Sequence, residues 1–453
     1  MFVMASGNRF TRVFWTSASV ELLERMAYYA VFIVLTLYLS NVYGFSDIEA
    51  GIVSGIFSAT LSLLPTFSGA LADRIGFRSS LLLAFALLSV GYLGLAVLPT
   101  LFQSAGMVDY GLITTFTGLR ESPLRWTVIP VLLIIVVGGS FIKAVISGTI
   151  ARETTTTNRA RGFSIFYMMV NIGSFTGKTV VEPLRRGMGS EGLVVLNYFS
   201  AAMTLLAFIL VWMLYRSRQE QGDVKNIREI GSSLLRVLTN GRIIAITLIT
   251  SGFWMIYMQL YATMPKYVLR MAGDTATPAW YANLNPLVVV LCVNLVTRLM
   301  QRYKAVTSMG VGMWLMPFSA LLMAAGNLVG SDDILGLHPV AFMMLCGIGV
   351  QALAETFISP RYLEYFSLQA PKGDEGLYLG FSHINSCIAS FIGFGLSGFL
   401  LSKYCPDPQL YATHEAWQAA SVHAHYIWYV FAVIGALAAV ALFIFGKLTK
   451  DDK

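Results

Sequence analysis

The chain has 453 residues, of which 56% are hydrophobic and only 12% charged, with a mean hydropathy of +0.67. That balance excludes a soluble globular domain. The net charge of +7 follows from where the basic residues fall around apolar segments, so nucleic acid is not needed as a partner.

A run of about 20 apolar residues crosses a bilayer. Such runs lie near 11–40, 46–70, 79–100, 126–150, 163–184, 193–215, 242–268, 279–300, 306–329, 337–366, 377–402 and 424–447. They predict an all-α membrane protein of twelve transmembrane helices. The first run is too long for a cleaved signal and leads straight into polar residues, so it reads as a retained anchor. Most of the 31 Lys and Arg fall at the termini and in even-numbered loops, among them Arg74, Arg78, Arg152, Arg159, Arg216, Arg228 and Lys304. The positive-inside rule then places both termini in the cytoplasm, in what is expected to be a bacterial inner (plasma) membrane. Residues 216–241 form the longest cytoplasmic loop. They divide an N-terminal six-helix bundle (1–215) from a C-terminal one (242–453), and 225–237 reads equally as an amphipathic surface helix or a polar linker. Cys292, Cys346 and Cys387 lie in spans and Cys405 in an exposed loop, so no disulfide is predicted.

The first span carries Glu21-Leu-Leu-Glu-Arg-Met-Ala-Tyr-Tyr29. At about 100° per residue, Glu21, Glu24, Arg25, Tyr28 and Tyr29 share one face. A charge at the bilayer centre costs several kcal/mol, so such groups usually face a cavity and mark a substrate or proton path. An ion pair that only pins helices is the alternative.

The loop after the second span, Gly69-Ala-Leu-Ala-Asp-Arg-Ile-Gly-Phe-Arg78, resembles the signature loop of the major facilitator superfamily. The resemblance implies two six-helix bundles that rock by alternating access, with Asp73, Arg74 and Arg78 tying cytoplasmic helix ends together in one state. The matching loop of the second half, Arg298-Leu-Met-Gln-Arg-Tyr-Lys304, has no aspartate. The first-span motif itself resembles the Glu-x-x-Glu-Arg-Phe-x-Tyr-Tyr signature of the proton-dependent oligopeptide transporters, with Met26 for Phe. More of that pattern follows in order: Gly139-Ser-Phe-Ile-Lys143, then Phe163 to Gly173 with Asn171, then Leu284-Asn-Pro-Leu287, then Glu355-Thr-Phe-Ile-Ser-Pro360, then Ala370-Pro371.

This resemblance implies a divergent proton-coupled symporter for small peptides or peptide-like solutes, with Glu21, Glu24 and Arg25 in proton coupling. Helical rise puts Glu21, Lys143 and Glu355 at one depth just inside the midplane. Lys143 and Glu355 are therefore expected to pair across the halves and close the inner end. Two positions depart from the family: Phe32 replaces the peptide-binding arginine of the first helix, and Met258 the glutamate of the seventh, in Phe253-Trp-Met-Ile-Tyr-Met-Gln259. Losing both charges together is tolerable where losing one strands an ion at about 3–5 kcal/mol. The pocket is then less polar, lined by Tyr28, Tyr29, Trp254, Tyr257, Gln259, Asn285, Gln351 and Ser359.

On the fifth span Tyr167, Asn171, Ser174, Lys178 and Glu182 form a polar stripe, in which Lys178 either holds a substrate carboxylate or pairs with Glu182. His383 reads as a structural or a titrating group, and His414, His423 and His425 as a solvated outer loop without metal. The other readings are a carrier of a non-peptide solute, importer or exporter, and a transporter-derived receptor. No nucleophile or metal constellation suggests an enzyme. No cofactor beyond the coupling proton is expected, and the partners are a small-molecule or peptide substrate and the lipid bilayer, with the chain a monomer.

Overall fold

The computed structural model describes residues 10–110, 117–154, 158–216, 239–330, 332–369 and 381–449. The loop segment 225–237 therefore lies outside the described residues. Among them the secondary structure is helical apart from one isolated bridge, Ile334 to Leu337. Nine helices are long and apolar enough to cross a membrane, ten when Arg12–Phe32 and Leu35–Tyr43 count as one span bent by 53°. Arg159–Leu214 runs 56 residues and contains two spans, because Gly189 (φ 58°) turns the backbone back where a side chain would be strained. Asp47–Leu63 continues through a break at Leu64 into Pro65–Ile75, whose first residue lacks the N–H that a continuous helix would need. With these the sequence's twelve spans are complete. The fifth and sixth spans are two helices that meet at the Gly189 kink, within the polar stretch Glu182-Pro-Leu-Arg-Arg-Gly-Met-Gly-Ser-Glu-Gly192 that separates their apolar runs.

Two compact units result: Met1–Phe32, Leu64–Asp109 and Pro123–Glu229 in the first, Ile33–Leu63, Tyr110–Ser122 and Ile230–Lys453 in the second. In the first unit, Arg12–Phe32 packs on Arg159–Leu214 through Gly173 and Gly177. A Cβ at Gly177 would clash with the Met26 carbonyl oxygen, and one at Gly173 would sit 2.6 Å from that of Leu22. Ser200 Oγ donates to the Ala27 carbonyl at 3.0 Å on the same first span. Phe77–Ser104 packs on Val128–Arg152, with Gly91 against Ile135.

In the second unit, Asp47–Leu63 packs on Ile384–Tyr404 along small residues. A Cβ at Gly51 would meet the Phe394 carbonyl at 2.5 Å, and Ser58 and Ser390 share a hydrogen bond of 2.9 Å. Between lipid-facing helices such close approach is the main source of cohesion, because lipid is as apolar as the side chains.

Gly177→Leu should destabilise the first unit by about 1–3 kcal/mol or more through overpacking. Gly187→Ala meets nothing within 4 Å and should leave stability unchanged. Thermal unfolding of the two variants in detergent checks both.

Candidate transport site

The first-span motif forms a buried cluster. Glu21 and Glu24 are each 3% exposed and Arg25 7%. Arg25 donates to Glu24 Oε2 through Nε and Nη2, 2.5 Å each, and its Nε lies 3.3 Å from Glu21 Oε1. Among the described residues Glu21 Oε2 is buried with no hydrogen-bond partner. One guanidinium therefore serves two carboxylates and leaves one oxygen unmet.

Its charge also lies 5.2 Å over the Tyr28 ring, and Tyr28 contacts Tyr29 edge-on at 5.1 Å. Phe32 is 4% exposed and stacks on Tyr28 at 5.0 Å, so the residue replacing a cation is packed against an aromatic. Lys143 stands at mid-span and is nonetheless exposed, within electrostatic reach of Arg25, Glu24 and Glu21.

The fifth-span stripe divides. Tyr167 is exposed, and Asn171 Nδ2 donates to its carbonyl at 2.8 Å, satisfying the amide within its own helix. Ser174, Lys178 and Glu182 are buried, and the Lys178 ammonium sits 5.4 Å over the Tyr29 ring. Arg78 donates to the Trp212 carbonyl at 2.8 Å and Arg74 is exposed, while the Asp73 side chain lies outside the described residues.

The second unit holds the other expected residues. Tyr257 Oη donates to Asn285 Oδ1 at 3.4 Å, and Asn285 Nδ2 donates to Glu355 Oε2 at 3.1 Å. Trp254 packs edge-on against Tyr257 at 5.0 Å. Among the described residues Trp254 Nε1, Gln351 Nε2 and Ser359 Oγ are buried without a hydrogen-bond partner. Gln351, Glu355 and Ser359 are spaced by four on Pro339–Gln369 and share a face.

Gln259 behaves differently. Its amide donates to the Met255 and Gly393 carbonyls and its oxygen accepts from Thr263, so it ties the seventh span to the eleventh. Met258 caps Gly241–Tyr257 and is half-buried, and His383 is exposed ahead of Ile384–Tyr404. Among the described residues no three His, Cys, Asp or Glu side chains group as metal ligands.

Sequence reasoning missed one cluster altogether. Lys266 and Arg270 stand on the helix Met264–Ala272 one turn apart. Asp47 accepts from Lys266 Nζ at 2.8 Å and from both terminal nitrogens of Arg270 at 2.8 and 2.9 Å. Lys266 also donates to Ser40, and Arg270 to the Cys405 carbonyl and Asp407. The i, i+4 basic pair was visible, but its acid lies 219 residues away. The expectation that Cys405 is exposed is overturned with it. The thiol is fully buried, and burial pushes it up to about 12 against the pull of Arg270.

The sequence profile of the Major Facilitator Superfamily matches residues 18–326. The chain belongs to that superfamily. It is 24% identical to dipeptide and tripeptide permease A of Proteus mirabilis over 57% of this chain, and that alignment spans 48% of the relative's length. The permease of the same name from Pectobacterium carotovorum is 20% identical, with 97% of this chain and 92% of the relative covered. Multidrug resistance protein MdtH of Cronobacter sakazakii is 21% identical over 84% of each chain. Among solved structures, the POT family transporter PepTSo superposes with a TM-score of 0.72 at 16% identity, covering 98% of this chain and 99% of that one. The expected fold and the resemblance to peptide transporters are both borne out.

With Cys405 as the sole cysteine, maleimide labelling at pH 8 should be slow, because little thiolate exists below a value near 12 and none is accessible; it should rise with pH. Asp47→Asn leaves Lys266 and Arg270 with a neutral partner and should speed labelling by about tenfold or more, as breaking a buried pair costs about 3–5 kcal/mol.

Proposed function

We propose that this protein is a proton-coupled secondary transporter that imports small peptides or peptide-like solutes by alternating access across a bacterial inner membrane. One observation carries the reading: among the described residues Glu21 Oε2 is buried in a membrane span without a hydrogen-bond partner, beside an arginine already bound to a second acid. Two carboxylates around one guanidinium hold an excess negative charge in low dielectric. A proton on Glu21 removes that excess and fills the unmet oxygen. Glu24 keeps Arg25 neutralised in both states. Each proton moving inward gains about 2.3 kcal/mol per 100 mV of membrane potential.

Among the described residues of its own unit Lys143 makes no ion pair, which supports its proposed role as partner of Glu355 in closing the inner end. Protonation near Arg25 changes the field Lys143 feels and so links the proton to that closure. At the outer end, opening requires Asp47 to part from Lys266 and Arg270. Asp73, Arg74 and Arg78 are proposed to hold cytoplasmic helix ends, and both termini to lie in the cytoplasm of a monomeric carrier. For the solute, Tyr28, Tyr29 and Lys178 offer an aromatic and cationic surface. Trp254, Asn285, Gln351, Glu355 and Ser359 offer hydrogen bonds and an anion. The family resemblance and the permease relatives support peptides as the class.

A second reading, a proton-coupled carrier of a non-peptide organic solute in either direction, is favoured by one feature. Phe32 and Met258 place apolar side chains where the peptide family has charges, and a multidrug-resistance relative aligns over most of the chain.

Proteoliposomes under an imposed pH gradient separate the readings. Dialanine and trialanine should accumulate and compete with each other; accumulation of another solute without competition by peptides would overturn peptide import. Glu21→Gln should cut uphill accumulation by about tenfold or more, about 1.4 kcal/mol of coupling, while counterflow exchange persists. Unchanged uphill uptake in both Glu21→Gln and Glu24→Gln would remove these acids from the coupling step.

A further inference from the structure

The buried polar face of the first span extends one turn further toward its start than the Glu21–Tyr29 motif. Ser17 stands four residues before Glu21 on Arg12–Phe32, so the two share a helical face. Ser17 is 0% exposed. Among the described residues neither Ser17 Oγ nor Glu21 Oε2 has a hydrogen-bond partner, so the two atoms are not bonded to each other.

A hydroxyl in a helix ordinarily turns back to a carbonyl one turn earlier. Thr16 does so beside it, donating to the Arg12 carbonyl at 2.9 Å. Thr149 and Thr247 do the same toward Val145 and Ile243, at 2.8 and 2.7 Å. Ser17 makes no such bond to Val13. Its donor and its acceptor are both unused by the backbone.

Leaving a buried hydroxyl unbonded costs free energy, and alanine would fill nearly the same space without that cost. The first and fifth spans are also in close contact on both sides of Ser17. A Cβ at Gly162 would lie 3.3 Å from the Phe14 ring, and one at Gly173 2.7 Å from Arg25 Cβ. The backbone that carries Ser17 is thereby fixed. Side chains on a helix lean toward its N-terminus, so the Glu21 carboxyl projects over the turn that holds Ser17. Two unmet oxygens on one face, one turn apart and not directly bonded, match the donors and acceptors of a single water.

We infer that Ser17 is a positioning residue for the coupling proton: it holds a water against Glu21 Oε2, and that water delivers and removes the proton. On loading, the water arrives as hydronium and gives one proton to Glu21 Oε2. An O–H bond forms on the carboxylate and neutral water is left. On release that O–H bond breaks and the proton returns to the water. Ser17 keeps its own proton throughout, and Arg25 keeps its charge. A neutral hydroxyl suits this position, since another cation here would hold Glu21 ionised.

The charged groups that act on the step are Arg25 and Glu24 of the first span and Lys143 of the fourth. Tyr28 and Tyr29 stand beside Arg25, and Tyr92 of the third span beside Glu24. Lys178 of the fifth reaches the cluster through the Tyr29 ring.

With Glu21 as the coupling acid, on which this inference rests, the decisive test reads that carboxyl directly. Infrared difference spectra of the reconstituted protein across a pH titration should contain a protonated-carboxyl band that Glu21→Gln removes. Ser17→Ala should move that band to higher wavenumber, because the carboxyl loses a hydrogen bond, and Ser17→Thr should return it. A band unmoved in Ser17→Ala overturns the role of Ser17 and leaves Glu21 as the coupling acid. If Glu21→Gln removes no band, the coupling reading falls and the role of Ser17 falls with it. In proteoliposomes Ser17→Ala should slow uptake driven by a pH gradient about tenfold, with dialanine counterflow unchanged. Equal loss of both would mark a purely structural residue and overturn the inference. Should Ser17→Ala fail to reconstitute, Ser17→Cys, similar in size and a much weaker hydrogen-bonding group, is read in the same way.

Discussion

A charge enters this protein's interior only in company, because hydrocarbon offers nothing to replace its lost hydration. Two arrangements meet that constraint. Around Arg25 one cation is shared by two acids; around Asp47 one acid is shared by two cations. The difference decides what each can do. An acid-rich cluster is relieved by taking up a proton. The Asp47 group has no such excess, since Asp407 also pairs with Arg270 and the two acids balance the two cations. The first suits a coupling site, and the second suits a latch that yields only to mechanical opening.

Close backbone approach turns local charge changes into helix movement. The first and fifth spans meet at Gly173 and Gly177, and the second and eleventh at Gly51 and Gly398, with no side chain between. Helices joined so tightly move together, while the breaks at Phe32, Leu64, Pro183 and Gly189 leave other points free to bend. Rigid seams and soft breaks are both needed by a bundle that changes shape in a membrane, where irregular backbone is tolerated only inside protein or beside water.

The hydrogen-bond pattern separates side chains satisfied within the fold from side chains that keep unmet polar atoms among the described residues. Gln259 and Asn171 are satisfied by carbonyl groups of helices, their own or a neighbour's. Trp254, Gln351 and Ser359 are buried with unmet polar atoms, although each had equal standing as a pocket residue from its place in a motif. The side chain's environment, and not its chemical type, makes that distinction.

The sequence alone determined what depends on short range. Apolar run length determined the spans, and the 3.6-residue period put Glu21, Glu24 and Arg25 on one face. Nothing more is needed to bring i, i+3 and i+4 neighbours together on a helix. Only the tertiary structure decided what depends on partners far away in the chain: Asp47 between Lys266 and Arg270, Cys405 buried behind them, Gln259 bound to the Gly393 carbonyl, and Lys178 over Tyr29. In each case the residue's own segment permits several surroundings, and the packing of other helices selects one.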